Sequence, residues 1–345
     1  MTPNDIINDP TWLPVALAAN RAVVFRKLAD NSVAESTFLD NRAVGMSTTA
    51  QVKLTDLVQI SQKMESDKTI YQLFHISHVG STLLAKVVQS IPSAVSFREP
   101  TIFRDIVSRY YDHIDGTNDV FAKEMPLILC SIYNMFRRGG ADHIFIKHTS
   151  GNLILPPIVD EALPKVNVET RDALLYTTAK DFLSHAITSK GLYGDAVAPG
   201  SSQRRVGYFN RLCTFRKLEL ADLKPLQKVG LVWMTEMQKL RARSATLRPD
   251  SVINFDACLR EGGKEAIVKA LIDAYDLSEH EGALTDSPAW DANSKNGEPF
   301  NPGERTKKLE KNYLKEKIEV EKTLKWIRSI CAENVTFAPL SDDLQ

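Results

Sequence analysis

The chain has 345 residues, 43% hydrophobic and 25% charged, and its 43 Lys+Arg balance 43 Asp+Glu. A net charge of zero excludes broad electrostatic binding to nucleic acid or an anionic membrane, though not one local basic pocket. No apolar run reaches the roughly 20 residues that a membrane-spanning helix needs.

The opening stretch, "MTPNDIINDPTWLPVALAANR", is acidic early and carries prolines, which does not fit a secretory signal. Residues 1–65 read as an N-terminal arm packed on a single globular unit over 66–345. Within the arm, "RAVVFRKLA" (21–29) is β-like and is expected at a sheet edge, and 49–64 reads as a helix. "YQLFHI" (71–76) is a short buried strand, followed from Thr82 by apolar residues at helix spacing: Leu83, Leu84, Val87, Val88 and Ile91.

"AVSF" (94–97) is the next strand, with helices near 101–112 and 122–137. "HIFIKH" (143–148) is a strand, and "NLILPPIVDEAL" a helix interrupted by two prolines. "ALLYTT" (173–178) is a strand with its helix at 179–190. Helical patterns cover 201–218 and 224–246. "SVINF" (251–255) is a last strand before the helix of "KEAIVKALIDAY". Residues 286–304 read as a polar loop. A long helix over 305–331 places Leu309, Tyr313, Leu314, Ile318, Leu324, Ile327 and Cys331 on one face. Strands alternating with helices predict an α/β fold with a central, mostly parallel sheet flanked by helices, and ligands in such sheets sit beyond the carboxyl ends of the strands.

The corner "SHVGST" (77–82) lies at such an end. A strand entering a helix through a tight loop aims several backbone N–H groups at one point, and the helix dipole adds positive charge there. Gly80 allows close approach of the backbone, while Ser81 and Thr82 offer hydroxyl donors or a helix cap. The pattern GxxxxGK[ST] is absent, so a kinase or ATPase fits poorly. An ordinary turn with a cap is the competing reading. The four cysteines, Cys130, Cys213, Cys258 and Cys331, form no CxxC pair and read as reduced thiols of a cytoplasmic protein.

Five segments in chain order resemble the sulfotransferases that use 3′-phosphoadenosine 5′-phosphosulfate. "FHISHVGSTLL" is similar to their phosphosulfate loop, (P/S)-(K/R)-S-G-(T/S)-T. "VSFREP" is similar to the strand end that carries a catalytic glutamate in several subfamilies. "IFIKHTSGNLILP" resembles the third-strand segment, "ALLYTTAKDFLSHAITS" the YxxRNPxDxxxS strand-helix, and "DSVINFDACLREGGKEAIVKALIDAYDL" the strand–YEDL–helix–LGL segment. More narrowly, the arm and the tail "SKNGEPFNPGERTKKLEKNY" resemble a bacterial group of sulfotransferase-like P-loop proteins.

The resemblance implies a P-loop-type three-layer fold and a nucleotide-binding transferase. Such an enzyme moves a sulfuryl group to a hydroxyl or amine of a small molecule or glycan, with no metal, nucleic acid or membrane involved. The sequence does not address the oligomeric state. Ser77, His78, Val79, Gly80, Ser81 and Thr82 would grip the donor's 5′ end, and Thr178, Ser184 and Lys295 its 3′-phosphate. Glu99 would be the base, Lys147 would stabilise the transferring group, and His148 is the rival base.

Each role has an ordinary structural alternative: a helix-capping or Arg98-paired Glu99, a strand-end charge at Lys147, packed histidines. The chain departs from the pattern at His78, where a Lys or Arg is usual, and at Thr177 or Thr178, one of which falls where the family has arginine. Those departures keep a catalytically degenerate anion-binding module open as an alternative. A small-molecule kinase would need a Mg²⁺ site and a loop lysine. Trp233 reads as core, and Arg305, opening the last helix, as a candidate cation for the 3′-phosphate whose ordinary alternative is surface charge.

Overall fold

The computed structural model describes residues 1–28, 33, 38–39, 48–64, 66–114, 124–162, 168–213, 215–291 and 302–345. The chain divides into two compact units. The first comprises Met1–Phe74, Ser81–Ala173 and Leu277–Glu298; the second comprises His75–Gly80, Leu174–Asp276 and Pro299–Gln345.

The first unit opens with the helix Pro3–Asn8, whose start is closed reciprocally by Thr2 and Asp5. This is a capping box, which satisfies two otherwise unpaired N–H groups. Three antiparallel strands follow: β1 (Trp12–Ala18), β2 (Ala22–Lys27) and β3 (Thr49–Lys53), in that spatial order. Two expectations are corrected here. The strand expected at an edge is the middle one of this sheet. The helix expected from residue 49 begins only at Leu54, because residues 49–53 pair with β2, Val52 opposite Val23. That ladder supplies backbone partners that a frayed first helical turn lacks.

The buried guanidinium of Arg138 ties this region down. It donates to the carbonyls of Ile7 at 2.6 Å, Asp9 at 2.9 Å and Trp12 at 2.6 Å. Burial pushes its pKa down to about 10.

A five-stranded sheet carries the α/β architecture. Its strands are β4 (Ile70–His75), β5 (Ala94–Arg98), β6 (His143–Lys147), β7 (Thr170–Tyr176) and β8 (Val252–Asn254), in the order β5–β6–β4–β7–β8. The pairs β4/β6, β5/β6 and β7/β8 are parallel. With its flanking helices the sheet is consistent with the three-layer fold expected. Every residue of β4 is buried, as a central strand covered on both faces requires. In the first unit Tyr71 stacks on Phe145 at 4.7 Å between ring centres, and Phe97 meets Phe136 edge-on.

In the second unit the helix Pro225–Ser244 is fully buried along its middle. Trp233 is core, as expected: its indole N–H donates to the Thr177 carbonyl at 3.0 Å. The long terminal helix is two helices, Pro302–Lys315 and Lys317–Glu333, broken at Glu316. The break resets the helical phase. Leu314 and Ile318 lie 62% and 71% exposed rather than on the buried face with Leu309, Leu324 and Ile327, because Leu314 falls about 140° around its own helix from Leu309 and Ile318 about 120° from Leu324. No described helix is long and apolar enough to cross a membrane.

Candidate functional site

In the first unit, β5 and β6 run parallel and end together, with Arg98 opposite Lys147. The next residue, Glu99, continues the ladder: its N–H donates to the Lys147 carbonyl at 2.8 Å. Its backbone then turns to φ +56°, a left-handed conformation that costs a side-chain-bearing residue about 1–3 kcal/mol and tends to occur where function requires it. The turn returns the Glu99 carboxylate onto the Lys147 ammonium, and the two form an ion pair. The Lys147 side chain is 2% exposed and that of Glu99 21%. The carboxylate therefore reaches solvent while the ammonium is held beneath it, 5.3 Å from the centre of the Phe38 ring. Arg98 is buried beside them in sequence, and burial pushes its pKa down to about 10.

His148 stands one residue beyond Lys147 and is fully buried. It lies flat on Phe74 at 4.2 Å and meets the edge of Phe103 at 4.8 Å. Its Nε2 is 3.1 Å from the Gln72 amide oxygen. The Gln72 nitrogen donates to Asp172 at 2.8 Å, which fixes that amide and makes His148 the donor through Nε2–H. Its Nδ1 then faces the Asn152 amide nitrogen at 3.4 Å. This ring is packed into the core, whereas the Glu99 side chain, 21% exposed, reaches solvent.

In the second unit the corner has alternating left-handed positions, His78 at φ +61° and Gly80 at φ +80°. Val79 between them is fully buried. The Ser77 N–H and hydroxyl both donate to Glu236, at 2.7 and 3.0 Å. A Cβ on Gly80 would lie 2.3 Å from the Phe255 ring. Glycine is therefore required here by a packed ring as well as by its backbone angle. The helix Ser81–Val87 follows, with Ser81 and Thr82 each 5% exposed.

Arg305 crosses to this loop. It grips Asp256 with two bonds, of 2.7 and 3.0 Å, and reaches the His78 carbonyl at 3.3 Å. Burial alone would lower the Arg305 pKa, but Asp256 outweighs it and holds the guanidinium above its usual value. Burial likewise acts to raise Asp256, but Arg305 and the Thr177 hydroxyl at 2.8 Å hold it below the usual carboxylate range. The reading of Arg305 as a surface charge is thus corrected. His185 lies 5.4 Å from His78 between ring centres, and burial, with Arg305 and His78 nearby, pushes it down to about 3.

Thr178 and Ser184 are committed to helix structure. The Thr178 hydroxyl caps the helix Ala179–Ala186 by accepting from the Asp181 N–H at 3.2 Å. The Ser184 hydroxyl donates to the Lys180 carbonyl at 2.7 Å. Lys295 lies outside the described residues. Sequence reasoning missed Glu236 as a partner of the loop. The available signal was a lone carboxylate in the apolar run "GLVWMTEMQKL", since Glu is rarely buried without a partner.

No family model matches the chain, and no curated protein matches it. Among solved structures the chain is similar to a "Sulfotransferase Domain from the Curacin Biosynthetic Pathway". The similarity covers 72% of this chain and 79% of that one, at 12% identity and a TM-score of 0.35.

Proposed function

We propose that this protein is a sulfotransferase-like enzyme that moves a sulfuryl group from 3′-phosphoadenosine 5′-phosphosulfate to a hydroxyl or amine of a small molecule or glycan. The observation that carries the reading is the Glu99–Lys147 pair at the carboxyl ends of two parallel strands. A solvent-reaching carboxylate on a strained backbone is suited to accept the acceptor's proton. A buried ammonium is suited to stabilise the charge on the transferring group. The donor's phosphosulfate falls to the backbone N–H groups of residues 77–82. His78 supplies an imidazole where the resembling loop carries a permanent cation. The four cysteines, scattered along the chain with no CxxC pair, fit a reducing, cytoplasmic setting.

Calorimetry with 3′-phosphoadenosine 5′-phosphate, compared with ADP and with sulfate, tests donor recognition. Transfer of labelled sulfate to a panel of hydroxyl and amine acceptors tests turnover. Selective binding of the bisphosphate together with transfer is the expected result. Binding of ATP with Mg²⁺ in its place would support a kinase.

One observation favours a second reading, an anion-binding module without turnover. The Glu236 carboxylate already takes the first N–H and the hydroxyl of the loop. A protein of that kind would bind the bisphosphate and transfer nothing to any acceptor.

A further inference from the structure

The first unit holds a second cluster of chemistry-bearing side chains, at the start of β6 rather than at its end. His143 opens that strand, and four residues on at about 3.3 Å each separate it from Lys147 by about 13 Å. Glu279 and His280 lie on the short turn Ser278–His280, where the chain returns to this unit. The Nε2 atoms of His143 and His280 are 3.1 Å apart. Glu279 Oε1 is 3.4 Å from the same His280 nitrogen. The two rings stand nearly perpendicular, at 85°.

A single hydrogen between two imidazole nitrogens satisfies one contact and leaves the carboxylate facing the same nitrogen. Three lone-pair atoms converging in this way need a cation more than they need a proton. Two of the three spacings match those around a bound cation, and all three ligand atoms lie within 4.8 Å of one another. Two nitrogens bound tetrahedrally at about 2.0–2.1 Å from zinc stand about 3.3 Å apart, and a nitrogen and a carboxylate oxygen stand about as far. We infer that His143, Glu279 and His280 form a three-ligand site for a divalent transition metal of the zinc class, with its fourth position open to water.

Two imidazoles and one carboxylate suit zinc better than calcium or magnesium, which prefer all-oxygen shells. The metal would pin the returning segment Leu277–Asp291 to the amino end of the sheet. Because it sits at the other end of β6, it would act on stability rather than on transfer. His143 Nδ1 is buried and has no hydrogen-bond partner. Metal-bound imidazoles usually have an orienting acceptor at that atom, so affinity should fall about 10- to 100-fold short of a fully supported site.

The test uses the full chain, stripped with a chelator and titrated with zinc chloride against a chromogenic competitor. Cobalt(II) chloride serves as the spectroscopic probe. One equivalent of zinc, a rise in Tm and an intense tetrahedral cobalt absorption are expected. Glu279→Gln alters a side chain that is 76% exposed and should keep the fold while weakening zinc about 10-fold or more. His143→Gln should abolish binding. The proposal fails if the stripped protein takes up no zinc. It also fails if both variants bind zinc as tightly as the parent, which would place the metal elsewhere.

Discussion

Glu99 and Lys147 are joined twice, by a backbone hydrogen bond of 2.8 Å and by an ion pair between their side chains. The strand ladder therefore sets the position of the pair, and the left-handed turn at Glu99 sets its orientation. Glu99→Gln keeps the shape and removes the charge. Donor binding should persist, while kcat should fall about 10²-fold or more, the range for losing a general base. Stability should fall by up to about 3–5 kcal/mol, because the Lys147 ammonium, 2% exposed, loses the carboxylate that compensates its charge. Steady-state kinetics and denaturant midpoints on the same preparation separate the two effects. Unchanged kcat would remove Glu99 from the chemistry.

Gly80 and Phe255 make a second pair. In the sequence alone, Gly80 is required only for close approach of the loop backbone to an anion. The ring 2.3 Å from a Cβ changes that expectation. Gly80→Ala should cost about 1–2 kcal/mol for the left-handed backbone and about 1–3 kcal/mol for the clash. A smaller residue at 255 should recover the second part only. A double-mutant cycle of Gly80→Ala with Phe255→Leu, followed by urea unfolding, should show favourable coupling. Additive losses would mean that the ring does not constrain the glycine.

The buried Arg305–Asp256 pair predicts a larger effect. Arg305→Met leaves Asp256 charged, 3% exposed and without its main cation, at a cost of about 3–5 kcal/mol. Asp256→Asn in the same chain should recover much of that loss. Arg305→Lys should fall between, since an ammonium cannot make two bonds to Asp256 and also reach the His78 carbonyl. Denaturant midpoints for the four proteins decide the order. A double variant no more stable than Arg305→Met would contradict the pairing.

How much was legible follows from distance along the chain. Strands β4 to β7 announce themselves as short apolar runs, and the corner at 77–82 is read from consecutive residues. Glu99 and Lys147 each stand at a strand end, where a charge is conspicuous. Three features needed the structure. β3 hides inside an amphipathic pattern that continues into the helix Leu54–Ser61, and only pairing with β2 reveals it. Arg305 reads as one cation among many until Asp256, 49 residues away, is seen to hold it. Glu236 joins the loop across 159 residues, and no local pattern encodes that contact.

His185 predicts a pH dependence. Its folded pKa of about 3 lies below the unperturbed 6.5, so the unfolded chain binds the proton first. Stability from this group is complete above pH 6.5 and is lost as pH falls from there toward 3. The groups facing it include Arg305, His78, Asp256 and Lys308. Asp256 loses its contribution too, but only below its unfolded value of 3.8, which leaves pH 4.5–6.5 to the histidine. His185→Leu should flatten the stability curve in that window by up to about 1.4 kcal/mol per pH unit. Parallel curves for parent and variant, from urea melts at five pH values, would show that His185 titrates normally.

Glu236 decides between the enzyme and the module. Its carboxylate accepts two hydrogen bonds from Ser77, and an incoming phosphosulfate would compete for the same donors and be repelled by the same charge. Glu236→Gln keeps an acceptor oxygen for Ser77 and removes the charge. The charge-assisted bonds become neutral ones, so stability should fall by about 1–2 kcal/mol. Affinity for 3′-phosphoadenosine 5′-phosphate should rise about 10-fold, the equivalent of about 1.4 kcal/mol of relieved repulsion. The gain should shrink in added salt, because it is electrostatic. If Glu236→Gln binds the bisphosphate more tightly and the parent still transfers sulfate, the carboxylate tunes donor release in a working enzyme. If affinity rises and neither protein transfers, Glu236 fills the cradle of a module. Unchanged affinity in a folded variant would mean that the loop holds no anion at Ser77, and the resemblance of residues 77–82 to a phosphosulfate loop would carry no function.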